Sequence, residues 1–120
     1  MCFYIKEGSG VKVANQDIVC YKKLNPVWFG LLGYKSPIFG FFYRKGVTYV
    51  SKLSIFYDSI EKGLHSYKDL DFAKITVFCY KESDRKYLKF YKFIIPKGAE
   101  YYENDTEYCS NQIKMVGRVR

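Results

Sequence analysis

The chain is expected to fold as a strand-rich α+β domain: a mainly antiparallel sheet of about five to seven strands with one or two short helices. Three observations lead there. Tyr and Phe are unusually frequent, 13 and 10 in 120 residues, and 48% of the chain is hydrophobic, so it is too apolar for disorder. Short β-branched and aromatic runs alternate with clusters of Gly, Pro, Asn and Asp, the signature of strands and turns. One stretch, beginning at Ser66, carries the start signal of a helix. The length suits a single domain over residues 1–120.

Residues 1–16 read as a polar lead-in with a turn at Gly8-Ser9-Gly10. Asp17 to Lys22 forms the first strand, and Asn25-Pro26 is expected to end it, because proline has no amide to donate and restricts the residue before it. Val27 to Gly40 is apolar, holding Trp28, Phe29, Leu31, Leu32, Tyr34, Ile38 and Phe39, but has no sustained period. It reads as a packed loop that either covers an open end of the core or serves a function. Phe41 to Tyr43 and Val47 to Val50 look like a hairpin around Arg44-Lys45-Gly46. Ser54 to Tyr57 is a further short strand, followed by a turn-rich Asp58 to Gly63.

Ser66 is expected to cap a two-turn helix, with Asp69 in the capping-box position and Leu70 and Ala73 on one face. Ile75 to Tyr80 reads as a strand and Lys81 to Lys86 as a charged hairpin loop. Tyr87 to Ile95 is the longest strand, with Leu88, Phe90 and Ile94 on one face and Tyr87, Lys89, Tyr91 and Phe93 on the other. Aromatic residues on both faces mark it as central. Pro96-Lys97-Gly98 makes a tight turn, Ala99 to Tyr102 resumes extended structure, and Glu103 to Thr106 turns again. Gln112 to Val119 is the last strand.

The formal net charge is +8, from 20 Lys and Arg against 12 Asp and Glu. Such an excess favours anionic partners, nucleotides and nucleic acid among them. Arginine occurs only at Arg44, Arg85, Arg118 and Arg120. Base-specific recognition usually recruits arginine, so the lysine bias favours a solvated basic surface. The opening Met1 to Glu7 has no long apolar run, and no stretch of about 18 apolar residues occurs. A cytoplasmic protein without a membrane segment is expected. Cys2, Cys20, Cys79 and Cys109 are scattered without a close pair and are expected to be free thiols. With His65 the single histidine and no phosphate loop or dinucleotide fingerprint, neither a metal nor a cofactor is expected.

The candidate catalytic residues are His65, as a base, and Cys2, whose thiol would lie beside a free amine if Met1 were trimmed. The acidic cluster Glu103, Asp105 and Glu107 reads as a solvated turn. The more prominent pattern interleaves cations with aromatics: Lys22-Lys23, Trp28, Tyr34-Lys35, Tyr43-Arg44-Lys45 and Lys86 to Lys92. Aromatic faces stack on bases, at roughly 1–3 kcal/mol each, while cations meet phosphates. A sheet whose outer face carries Lys and Tyr gives the same pattern. The candidate ligand-binding set is Trp28, Tyr34, Lys35, Arg44, Lys45, His65, Ser66 and Lys97.

The segments Asp17 to Lys22, Ile60 to Ser66, Phe93 to Tyr102 and Tyr108 to Lys114 resemble a family of small uncharacterised proteins of gut bacteria and their phages. The resemblance covers most of the chain, including Met1-Cys2, and implies no particular activity. A phage protein would work in the bacterial host cytoplasm, where counter-defence against a nucleotide signal is a natural task. Gly63-Leu64-His65-Ser66, with Leu70 and Ala73, is also similar to a segment of the ADP-ribosyltransferase-like fold. The Arg, Ser-Thr-Ser and Glu-x-Glu set of that fold is not found at the expected places, so the resemblance implies that, if the fold is shared, nucleotide binding could survive alone while catalysis is put in doubt.

The leading expectation is therefore a non-catalytic binding protein that holds a nucleotide or nucleic acid on a basic, aromatic surface. One alternative is a small nucleotide-processing or ADP-ribosyltransferase-like enzyme using His65. Another is a protein-interaction module, or a homo-oligomer, docking through Trp28 to Phe42.

Overall fold

A computed structural model of the chain describes residues 10–26, 34–35, 42–56, 59–76 and 89–119. Its strands are β1 (Lys12–Val13), β2 (Ile18–Pro26), β3 (Tyr34–Lys35), β4 (Phe42–Tyr43), β5 (Thr48–Val50), β6 (Ser54–Phe56), β7 (Ser59–Lys62) and β8 (Leu64–Tyr67). After the helix α1 (Leu70–Ile75) come β9 (Lys89–Ile95), β10 (Glu100–Glu103), β11 (Glu107–Ser110) and β12 (Gln112–Arg118). The architecture is strand-rich α+β with an antiparallel sheet, as the composition implies. The strand count exceeds the expected five to seven. One ten-stranded sheet runs in the order β1-β10-β11-β8-β2-β9-β12-β5, with β3 joined to β2 and β4 joined to β3. β6 and β7 form a separate pair. The extra strands are two to four residues long; they owe their existence to a partner strand rather than to a local alternating pattern.

Several boundaries move for the same reason. β2 continues through Asn25 and Pro26, which pair with Lys35 and Tyr34 of β3; a proline at the last position of a strand removes no interior ladder bond. β4 pairs with β3 and β5 pairs with β12, so β4 and β5 are not paired with each other as the expected hairpin requires. Gly46, at φ 80°, donates its amide to the Met115 carbonyl at 2.8 Å and carries the chain from β4 to β5. Ser66 lies inside β8 opposite Tyr108 and caps nothing. The N-cap of α1 is Asp69, whose Oδ1 accepts the Asp71 amide at 3.0 Å. Ile75 closes the helix instead of opening a strand. The expected elements at 77–88 and the lead-in at 1–9 lie outside the described residues; β1 falls within the remainder of that lead-in.

Other local readings are observed as expected. β9 is central, between β2 and β12. At Pro96-Lys97-Gly98 the Ala99 amide returns to the Pro96 carbonyl at 3.0 Å, with Gly98 at φ 90°. Asn104 Oδ1 accepts the amides of Thr106 and Glu107 at 3.0 and 2.8 Å, which closes the turn between β10 and β11.

The core follows from the pairing of β2 with β9. Residues directly opposite in an antiparallel ladder point to the same face. Cys20 opposes Phe93, Ile18 opposes Ile95 and Leu24 opposes Lys89. Cys20, Leu24, Phe93 and Ile95 are fully buried, joined by Ile113 and Met115 of β12. Tyr43 covers them, meeting Phe93 edge-on at 5.2 Å and Tyr49 at 5.0 Å. α1 lies on the other face, where Ala73 is fully buried and Phe72 meets Tyr67 at 5.9 Å. A helix of one and a half turns persists only through such packing.

Phe93→Ala is expected to lower unfolding free energy by about 3–5 kcal/mol, while Val50→Ala, at a position 73% exposed, should change it by about 0.5 kcal/mol or less. Chemical denaturation of both variants checks this. Equal losses would mean that the buried face has been assigned to the wrong side of the sheet.

Candidate functional site

The fold brings some of the candidate residues drawn from the sequence together and places others apart: Tyr34 stands opposite Tyr43, beside Arg44. Cys2 and Trp28 lie outside the described residues. Tyr34 and Lys35 form β3. Arg44 and Lys45 are exposed in the turn before β5, and Lys97 is exposed in the turn after β9, where its amide donates to Asp17 Oδ1 at 2.9 Å. His65 and Ser66 stand in β8, deep in the sheet.

The lysine pair in β2 is turned inward. β2 and β8 share a single registered pair, Tyr21 with Tyr67. Beside it the Lys22 ammonium donates to the His65 backbone carbonyl, 5.2 Å from the Tyr43 ring centre. Burial lowers the Lys22 amine to about 8. Its neighbours respond to the same dry environment. Burial pushes the Cys20 thiol up to about 11, against the opposing pull of Ser66 and Lys22, and the Cys109 thiol up to about 12. Burial, and then the Lys22 charge, lower His65 to about 4. Near neutral pH both thiols are therefore protonated and His65 is uncharged. Cys20 and Cys109 are poor nucleophiles in this state.

Lys23, one residue on, points to the opposite face. Its ammonium donates to Thr76 Oγ1 at 2.7 Å and stands 5.3 Å from the Tyr67 ring centre. Lys68 lies 5.1 Å from the Tyr108 ring centre and pairs with Glu103 at 3.1 Å. Part of the basic and aromatic pattern thus satisfies itself inside the fold.

A different set of cations remains on the face opposite the core. Strand register aligns Val19, Ile94, Lys114 and Thr48 in one row across β2, β9, β12 and β5. The adjacent row runs Tyr67, Tyr21, Lys92 and Gly117 across β8, β2, β9 and β12. Between Met115 and Gly117 the register shifts, a bulge that brings Gly117 beside Lys92. Lys45 crosses over that glycine: its Cε lies 3.7 Å, and its Nζ 4.0 Å, from where a Cβ on Gly117 would stand. Val19, Lys114, Thr48 and Val50 are exposed, while Tyr21, Lys92 and Ile94 are half-buried. The two rows contain no carboxylate.

Of this set only Lys45 belongs to the sequence-derived binding residues. Lys92 fell within the noted basic and aromatic run, whereas Tyr21, Lys114 and Gly117 were missed. The alternation Ile113-Lys114-Met115 could have flagged Lys114 as outward-facing. Nothing local signals the bulge. Among the described residues there is no group of three or more His, Cys, Asp and Glu side chains placed to hold a metal, and no helix is long and apolar enough to cross a membrane. Comparison with protein-family models, with curated proteins and with solved structures finds no match.

The depressed His65 pKa has a sign. Between pH 6.5 and about 4 the unfolded chain binds more protons than the folded one, so acid weakens the fold in that window. The His65 share of that loss is expected to be on the order of 3 kcal/mol. His65→Gln should flatten the stability profile across this window, as read by denaturation at several pH values. An unchanged slope in the variant would show that His65 is solvated.

Proposed function

We propose that this protein is a non-catalytic binding protein that holds a phosphate-bearing ligand on the face of its sheet opposite the core, beside α1. One observation carries the reading. Lys45, Lys92 and Lys114 share that face through strand register and the bulge at Gly117, and among the described residues none has a carboxylate partner. Three neighbouring ammonium groups on one face create a positive potential that an anion relieves. The +8 net charge extends that attraction beyond contact range and speeds encounter. The ligand-binding role of Arg44 and Lys97, exposed at two separate turns, would be long-range steering of this kind.

A binding role also accords with the chemistry of the interior. The described thiols are held protonated by burial, and His65 is engaged in the sheet, so these groups serve stability better than proton transfer.

Inorganic polyphosphate, end-labelled and followed by fluorescence anisotropy, provides the test. Affinity is expected to fall as salt rises from about 50 to about 200 mM. Lys92→Gln and Lys114→Gln should each weaken binding and reduce the logarithmic salt slope by about one. Binding indifferent to salt, or none at the lower concentration, would sink the reading.

A further inference from the structure

Resting on that reading, we infer that the ligand is single-stranded nucleic acid, with a base laid against Tyr21 and its flanking phosphates on Lys92, Lys114 and Lys45. The inference comes from what stands beside the cations. Tyr21 is next to Lys92 in the registered row, and Gly117 with Lys45 above it follows on the next strand. Adjacent strands lie about 4.8 Å apart, so the backbone positions of Tyr21, Lys92 and Gly117 span about 10 Å across the sheet. The neighbouring row supplies Ile94 and Val19, the latter 42% exposed, and then Lys114. Apolar and aromatic side chains toward β2 therefore lie beside cations toward β9 and β12 on this face. An anion that is charged throughout uses only the cationic part of that surface.

A single strand matches this juxtaposition, because it offers phosphates and unstacked bases side by side. A duplex does not. Its bases are stacked on one another, and their edges are reached through a groove by a protruding helix or ribbon. On this face the rows across β2, β9 and β12 lie within a sheet, and α1 is held down on Tyr67 and Lys23 by Phe72 and Thr76. A duplex would touch the lysines with its backbone alone. Tyr21 is also a natural anchor. Tyr67 opposes it on β8, and Tyr67 is itself packed against α1, so little side-chain freedom is lost when a base stacks there. The predominance of lysine over arginine fits binding without a sequence code, since lysine is a point charge without a bidentate fork.

Four labelled probes test the inference on the full chain: an oligothymidylate of about twelve nucleotides, the duplex of the same length, an abasic strand of the same backbone, and inorganic polyphosphate. The oligothymidylate should bind about tenfold or more tightly than the other three at equal phosphate concentration. Tyr21→Leu, which keeps an apolar side chain but cannot stack, should bring the oligothymidylate down to the level of the abasic strand. The abasic comparison needs no variant, so it decides the matter even if Tyr21→Leu fails to fold. Equal affinity for all four probes would overturn the single-strand inference and leave the phosphate-binding reading standing. Binding of none of them would overturn both. A preference for the duplex would overturn the inference by making the backbone alone the ligand.

Discussion

The antiparallel register between β2 and β9 is the constraint on which the rest of the structure depends. Seven consecutive pairs, from Ile18 with Ile95 to Leu24 with Lys89, lie in unbroken alignment. Because side chains alternate, this register gives one face Ile18, Cys20 and Leu24 with Tyr91, Phe93 and Ile95, and the other Val19, Tyr21 and Lys23 with Phe90, Lys92 and Ile94. A slip of either strand by one residue would exchange its faces and turn Cys20 and Leu24, or Phe93 and Ile95, out of the core. Core and candidate site are thus two consequences of one pairing. β12 inherits the same faces by pairing with β9, and its bulge resets the register so that a residue without a side chain stands beside Lys92.

The lysines divide into two populations with opposite energetics. Lys22 and Lys23 lose hydration, and a backbone carbonyl, a threonine hydroxyl and tyrosine rings compensate. Truncating such a group would leave its partner unsatisfied as well as remove a charge. Lys45 and Lys114 stay in water, and Lys92 is half-buried in the same row. The surface ion pairs of Glu103 with Lys12 and Lys68, at 2.6 and 3.1 Å, add little to stability. They do lower the charge at the β10 end of the sheet. Lys92 and Lys114, which have no carboxylate partner among the described residues, lie on β9 and β12.

What could be read directly was local. The long central strand, the Pro96-Lys97-Gly98 turn, the turn at Asn104 and the final strand all announce themselves through patterns within a few residues. The candidate site was only half legible. Lys45 and the run containing Lys92 stood out, yet Lys22 and Lys23 look identical to surface lysines in sequence, and the tyrosines that receive Lys22 and Lys23 are 21 to 44 positions away. Ser66 has the residue type of a cap with Asp69 in the box position; the pairing of Ser66 with Tyr108 places it in a strand, and the cap falls to Asp69.

By itself, then, the sequence determined the class of fold, the places where the chain turns and the excess of positive charge, because alternation, turn chemistry and composition act over short distances. Tertiary structure decided the number of strands, the inward course of Lys22 and Lys23, and the grouping of Tyr21, Lys92, Lys114 and Lys45 on one face. Those depend on pairs such as Tyr21 with Lys92 and Ile94 with Lys114, in which the register of one strand against another, not the residues beside it in the chain, selects the face a side chain occupies.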